Sequence, residues 1–123
     1  MDNRQNGFVK GRIKSLKFAV KGVWLLITTE HSIMVQMAIA ILITFIGWWL
    51  DITKTEWIFQ ILAIGLILVA ESLNTCIEKL CDFIHPDHSK RIGFIKDISA
   101  GAVTFAAIMA VIIGLIIYLP KIS

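Results

Sequence analysis

The chain has 123 residues, 57% of them hydrophobic, and a mean hydropathy of +0.79. This composition disfavours an ordinary soluble domain and predicts one membrane-embedded unit over residues 1–123, with a soluble three-helix core as the alternative. The net charge of +3 is expected to serve lipid headgroups and membrane orientation, with no nucleic acid partner, because a basic nucleic-acid module would not carry three apolar spans.

The first predicted element is an amphipathic helix over about residues 8–29, preceded by polar residues outside it. Its apolar residues recur at helical spacing from Ile13 to Ile27. A second face carries four lysines, Lys10, Lys14, Lys17 and Lys21. This pattern predicts a helix on the membrane surface with its lysines toward anionic headgroups, and packing against protein is the alternative.

Three apolar segments follow and are predicted as membrane spans over about residues 33–50, 55–75 and 98–119. Thr53 and Glu56 have the spacing of a capping box at the start of the second span, and a turn of about five residues joins the first two spans as an antiparallel hairpin. Pro120 is expected to end the third. The predicted fold is therefore an all-α integral membrane protein with a surface helix and three transmembrane helices.

Positive charges indicate the orientation of these spans. Lysine and arginine are concentrated before the first span and between the second and third, whereas the connector between the first two spans has only Lys54 and the C-terminal end only Lys121. The positive-inside rule then predicts that the N-terminus and the second loop are cytoplasmic.

Polar residues interrupt the second apolar segment at spacings of three, four and four: Glu71, Asn74, Glu78 and Asp82. On a helix these four residues fall within an arc of about 80°, and we call them the polar stripe. Carboxylates aligned beside a bilayer repel one another and lose hydration, so they usually need a cation or a function. The topology brings Glu30, Lys96 and Asp97 to the same end of the bundle.

These residue types suit phosphate chemistry. Carboxylates bind magnesium together with substrate phosphates, Lys96 and Arg12 could meet those phosphates, and a remaining carboxylate could take a proton from an alcohol. An ion-conducting oligomer is the alternative of another class, although spans with so few polar residues argue against it. An inactive structural relative is a further alternative, and Asp82 could simply be a solvated helix-end charge.

The segment ESLNTCIEKLCD at residues 71–82, followed by KDISAGAV at residues 96–103, resembles the prokaryotic diacylglycerol kinase family, which includes the undecaprenol kinases of Gram-positive bacteria. The resemblance covers nearly the whole chain. It implies a homotrimeric lipid kinase of the bacterial inner membrane with a cytoplasmic active site, using ATP and magnesium. Diacylglycerol, converted to phosphatidic acid, is the first expected substrate, and undecaprenol is the alternative.

The resemblance also implies roles for individual residues. Glu71 would be the general base, Asn74 would support the lipid hydroxyl, and Glu30 and Glu78 would hold magnesium and contact ATP. Further ATP-binding residues would be Arg12 or Lys10, Phe18, Asp87, His88, Lys96 and Asp97. Asp82 receives no role. The chain departs from the family pattern at Met34, Gln36, His88 and Ser89.

Overall fold

The structure is a computed structural model that describes residues 3–123, and this part of the chain contains four α-helices and no strand. The helices are α1 (Asn3–Thr29), α2 (His31–Trp49), α3 (Lys54–Ile84) and α4 (Lys90–Ile122). The most extensive packing is between α3 and α4, while α2 packs against α3 and α1 against α2. The predicted all-α fold is confirmed.

Helices α2, α3 and α4 are each long and apolar enough to cross a membrane, which confirms the three predicted spans. Most of their large apolar side chains are exposed, as expected for surfaces that face lipid or other helices rather than water. Helix α3 continues to Ile84, so the whole polar stripe is helical.

Several helix boundaries differ from the sequence-based prediction. Helix α1 begins at Asn3 rather than near residue 8, and the preceding Met1 and Asp2 lie outside the described residues. Helix α4 begins at Lys90 because the Ser89 hydroxyl caps it, accepting a hydrogen bond from the Ile92 amide at 3.1 Å. Lys96 and Asp97 therefore lie within the helix.

Helix α4 also extends past its predicted end. It contains Pro120 and ends at Ile122. The prediction that Pro120 ends the helix was wrong. Proline locks φ near the helical value, so the last turn can include Pro120 even though its missing N–H leaves the Ile116 carbonyl without the usual donor four residues on.

The turn between α2 and α3 is tightly defined. The Ile52 amide donates to the Gly47 carbonyl at 3.1 Å and the Asp51 amide donates to the Trp48 carbonyl at 3.2 Å, which is the Schellman pattern. Asp51 takes the left-handed position with φ of 54°, where glycine is usual. The predicted capping box of Thr53 and Glu56 then starts α3, with both of its reciprocal hydrogen bonds present.

Because α3 runs antiparallel to α2 and α4, the bundle has two ends. The site end comprises Glu30, residues 71–84 of α3 and residues 85–97. The hairpin end comprises residues 43–60 and 117–122. The two ends contain most of the polar side chains of the three spans, and they differ in how those side chains are partnered.

Candidate functional site

The polar stripe becomes more exposed along α3. Glu71 and Asn74 are half-buried, whereas Glu78 and Asp82 are exposed. The Asn74 amide nitrogen donates to Glu78 Oε1 at 3.3 Å, while Asn74 Oδ1 is buried and has no hydrogen-bond partner among residues 3–123. The Glu71 carboxylate likewise makes no hydrogen bond or ion pair within the described chain. The inner half of the stripe thus has unused hydrogen-bond acceptors.

Glu30 joins the stripe from the junction of α1 and α2. It is the N-cap residue of α2, and its extended backbone (φ −103°, ψ 114°) separates the two helices. Its carboxylate accepts a hydrogen bond from the Thr29 hydroxyl at 3.0 Å and lies 3.4 Å from Lys79 Nζ. Since Lys79 follows Glu78 on α3, the structure brings Glu30 beside the stripe, at the level that the sequence predicts.

Helix α4 contributes a cation to the stripe. Lys96 Nζ lies 2.6 Å from Asp82 Oδ1, close enough for both a hydrogen bond and an ion pair. Asp97 is exposed and has no polar partner within residues 3–123. Neither partnership, Asp82 with Lys96 or Glu30 with Lys79, is predictable from sequence spacing, because the paired residues belong to different helices.

The loop between α3 and α4 contains two further residues expected to bind ATP, Asp87 and His88, and both are exposed. The loop is shaped locally: His85 Nδ1 lies 2.6 Å from the Asp87 carbonyl oxygen, and Ser89 is committed to capping α4. The loop leaves both predicted side chains open to solvent at the site end.

The residues predicted on α1 lie apart from the stripe in this structure. Arg12 stacks over the Phe8 ring, with 5.7 Å between guanidinium and ring centre, and neither Arg12 nor Lys10 pairs with a carboxylate in the described chain. Phe18 is exposed. Only the end of α1 approaches α3: Leu26 and other apolar residues border a cavity of about 310 Å³ that Leu73 also lines.

The carboxylates of the site end can serve magnesium only together with a ligand. Within residues 3–123, no three His, Cys, Asp or Glu side chains converge as a complete metal site. Magnesium usually takes one or two carboxylates and completes its shell with substrate phosphates and water. Glu30 and Glu78 fit that donor set, but two carboxylates do not make a metal site built from protein ligands alone.

The hairpin end contains polar contacts that sequence reasoning missed. The Tyr118 hydroxyl donates to Gln60 Oε1, the Gln60 amide donates to the Ile43 carbonyl at 3.4 Å, and Glu56 lies 3.1 Å from Lys121. Gln60 is only 4% exposed. These side chains therefore satisfy one another's hydrogen bonds and charges.

Two departures from the family pattern have defined places in the fold. Gln36 lines the cavity of about 410 Å³ between α2, α3 and α4, together with Gln60 and Tyr118. Met34 lies on α2 one turn after Glu30 and is partly exposed. Neither residue contributes a charge to the polar stripe, which is intact.

Comparison with known proteins agrees with the resemblance noted from the sequence. Residues 17–118 match the family described as prokaryotic diacylglycerol kinase. The undecaprenol kinase of Bacillus subtilis (strain 168) is 36% identical over 108 residues, which is 88% of both chains. The diacylglycerol kinases of Escherichia coli (strain K12) and Shigella flexneri are each 30% identical over 112 residues, or 91% of both chains.

Proposed function

The chain belongs to the prokaryotic diacylglycerol kinase family and is a membrane-embedded lipid kinase that uses ATP, and from this premise we propose that it phosphorylates the primary hydroxyl of a membrane lipid alcohol at its site end. The unused acceptors of Glu71 and Asn74 carry the proposal. They lie one turn apart on the same face of α3. A hydroxyl that donates one hydrogen bond to such a pair is held and oriented by it.

In the proposed reaction, Glu71 takes the hydroxyl proton as the lipid oxygen attacks the γ-phosphorus of ATP. The bond from the γ-phosphorus to the bridging oxygen breaks, ADP leaves, and the lipid phosphate forms. Asn74 orients the hydroxyl and the base. Glu71 is well placed for this role because its carboxylate is half-buried and not neutralised by any cation in residues 3–123.

The remaining site residues are proposed to bind ATP. Glu30 and Glu78 would hold magnesium, which when bound neutralises charge on the phosphates. Lys96 and Asp97 would contact the nucleotide from α4. The other proposed contacts are Asp87 and His88 from the loop and Arg12 or Lys10, with Phe18, from α1.

Two acceptor lipids are candidates. Diacylglycerol follows from the family name, but the higher identity to the relative named undecaprenol kinase favours undecaprenol, and we propose undecaprenol first. Both lipids present a primary hydroxyl, so the chemistry at Glu71 is common to them. The apolar tails, which contact lipid-facing surfaces of the helices, would set the preference.

The decisive experiment supplies the purified protein with labelled ATP and magnesium in mixed micelles that contain either undecaprenol or diacylglycerol at equal mole fraction. We expect label in undecaprenyl phosphate at a higher rate than in phosphatidic acid. A higher rate with diacylglycerol would reverse the order of acceptors, and label in neither lipid would overturn the proposed function.

The metal assignment has its own test. Glu78→Ala is expected to raise the magnesium concentration needed for half-maximal turnover, because one of the two proposed carboxylate ligands is lost. The matched control is Asp51→Asn at the hairpin end, which also removes one acidic charge. A magnesium dependence equal to wild type in Glu78→Ala would contradict the assignment.

We further propose a homotrimer in the bacterial inner membrane with the N-terminus and site end in the cytoplasm. The positive charges before α2 and between α3 and α4 support this orientation. The trimer is what the family resemblance implies, since the exposed apolar surface of the three spanning helices suits lipid and further copies equally. Chemical cross-linking in native membranes is expected to give dimers and trimers, and a monomer alone would contradict the trimer.

A further inference from the structure

The ion pair between Asp82 and Lys96 is the shortest in the described chain. Its 2.6 Å separation compares with 3.1 Å for Glu56 and Lys121 and 3.4 Å for Glu30 and Lys79. It crosses from the end of α3 to the start of α4, over the loop of residues 85–89. We propose that Asp82 is a positioning residue, which holds the Lys96 ammonium at the site end so that it meets the phosphates of ATP.

The need for such a residue comes from the lysine side chain. Four rotatable bonds let a free lysine sample many conformers, and fixing it on a ligand costs conformational entropy. The Lys96 side chain is only partly exposed (35%). Its partner Asp82 lies on α3, which is held in place by packing against α4, so the ion pair restricts the lysine. The ammonium has three donors, so one bond to Asp82 leaves two for phosphate oxygens.

The spacing of the stripe indicates which part of ATP is involved. Along a helix with a rise of about 1.5 Å per residue, Glu78 lies roughly 10 Å from Glu71 and Asp82 a further 6 Å on. If Glu71 marks the reacting hydroxyl and Glu78 the metal, Lys96 held at Asp82 contacts phosphates remote from the transferred group. Asp82 therefore contributes to binding of ATP more than to the chemical step. This inference rests on the proposed function, which supplies the nucleotide.

The test is a comparison of steady-state constants for Asp82→Asn and wild type in the same micelles. Asp82→Asn keeps the shape of the side chain and removes its charge. We expect KM for ATP to rise about 3- to 10-fold, as for loss of a partly exposed charged contact, with kcat within about twofold of wild type. The matched control, Asp51→Asn, makes the same change at an exposed position whose φ of 54° asparagine also tolerates, and its KM should equal wild type.

A double-mutant cycle separates positioning from a merely structural role. If Asp82 acts through Lys96, Asp82→Asn should not raise KM further in a Lys96→Met background, whereas independent effects would multiply. An unchanged KM in Asp82→Asn, or an equal rise in both backgrounds, would overturn the proposal. A fall in thermal stability without a change in KM would also overturn it, because Asp82 would then only stabilise the contact between α3 and α4.

Equilibrium dialysis with labelled ATP and magnesium, without lipid, makes the test independent of which lipid accepts the phosphate. Weaker ATP binding by Asp82→Asn but not by Asp51→Asn supports the positioning role even if neither lipid is phosphorylated. Equal binding by wild type and Asp82→Asn overturns it. The failure of the lipid kinase proposal and the failure of this inference are thus distinguishable.

Discussion

The two ends of the bundle use polar side chains in opposite ways. At the hairpin end, Gln60, Tyr118 and the Ile43 carbonyl bond to one another, and Gln60 is buried. At the site end, Glu71 and Asn74 Oδ1 have no partner in residues 3–123, and each ion pair there has one exposed partner. A buried polar group without a partner costs free energy, so the unpaired acceptors of Glu71 and Asn74 favour a functional role, whereas the mutually bonded groups of the hairpin end favour a role in stability.

The largest expected effect is on turnover and comes from the site end. Glu71→Gln keeps the size of the side chain but removes its basicity, so kcat should fall about 100- to 10,000-fold, as is usual for loss of a general base. Binding of labelled ATP and the oligomeric state, measured by equilibrium dialysis and size-exclusion chromatography, should be unchanged. Turnover close to wild type would remove Glu71 from this role.

A glycine substitution at the hairpin end should affect stability alone. A Cβ on Gly47 would lie 3.0 Å from both Ile52 Cδ1 and the Tyr118 hydroxyl, and 3.2 Å from Trp57. Overpacking of this kind typically costs about 1–3 kcal/mol, so the free energy of unfolding of Gly47→Ala in micelles should fall while kcat is retained.

The matched control for this change is Gly65→Ala on α3. No neighbouring atom lies within 4 Å of the position of its Cβ. There the better helix propensity of alanine should leave stability unchanged or raise it by up to about 1 kcal/mol. We expect the free energy of unfolding to fall in Gly47→Ala but not in Gly65→Ala. A change of the same sign in both variants would show that the close packing around Gly47 does not affect stability.

Tyr118→Phe removes one hydroxyl from the hairpin end and leaves Gln60 Oε1 without its donor. We expect a loss of about 1 kcal/mol in the free energy of unfolding, in the range measured for hydrogen bonds between helices in membranes. Turnover at a permissive temperature should match wild type. A large loss of kcat without a loss of stability would contradict the view that the hairpin end contributes to stability and only the site end to turnover.

The smallest effect is expected at the ion pairs. Lys79 is 67% exposed where it meets Glu30, and Lys79→Met should change the free energy of unfolding by less than about 0.5 kcal/mol. Lys121 is 25% exposed in its pair with Glu56, and Lys121→Met should cost more, up to about 1 kcal/mol. Chemical denaturation of both variants in one detergent measures the difference, and a larger loss in Lys79→Met would contradict it.

The sequence alone determined where the three spans lie and that the residues of the polar stripe share one helix face. Apolar length predicted the three spans, and the spacing of Glu71, Asn74, Glu78 and Asp82 placed them on one face, since both depend only on the local geometry of a helix. The capping box at Thr53 was predictable for the same reason. The start of α4 at Lys90 was not predicted, because Pro86, Asp87, Ser89 and Gly93 are together typical of a loop, whereas Ser89 caps the helix.

Only the tertiary structure decided which side chains meet across helices. The partners Glu30 with Lys79, Asp82 with Lys96, and Gln60 with Tyr118 depend on how each helix is rotated about its own axis. In a soluble bundle a narrow apolar stripe would indicate that rotation. These spans are apolar on nearly every face, because lipid is as apolar as a protein core, so their sequence does not specify which face turns toward a neighbour.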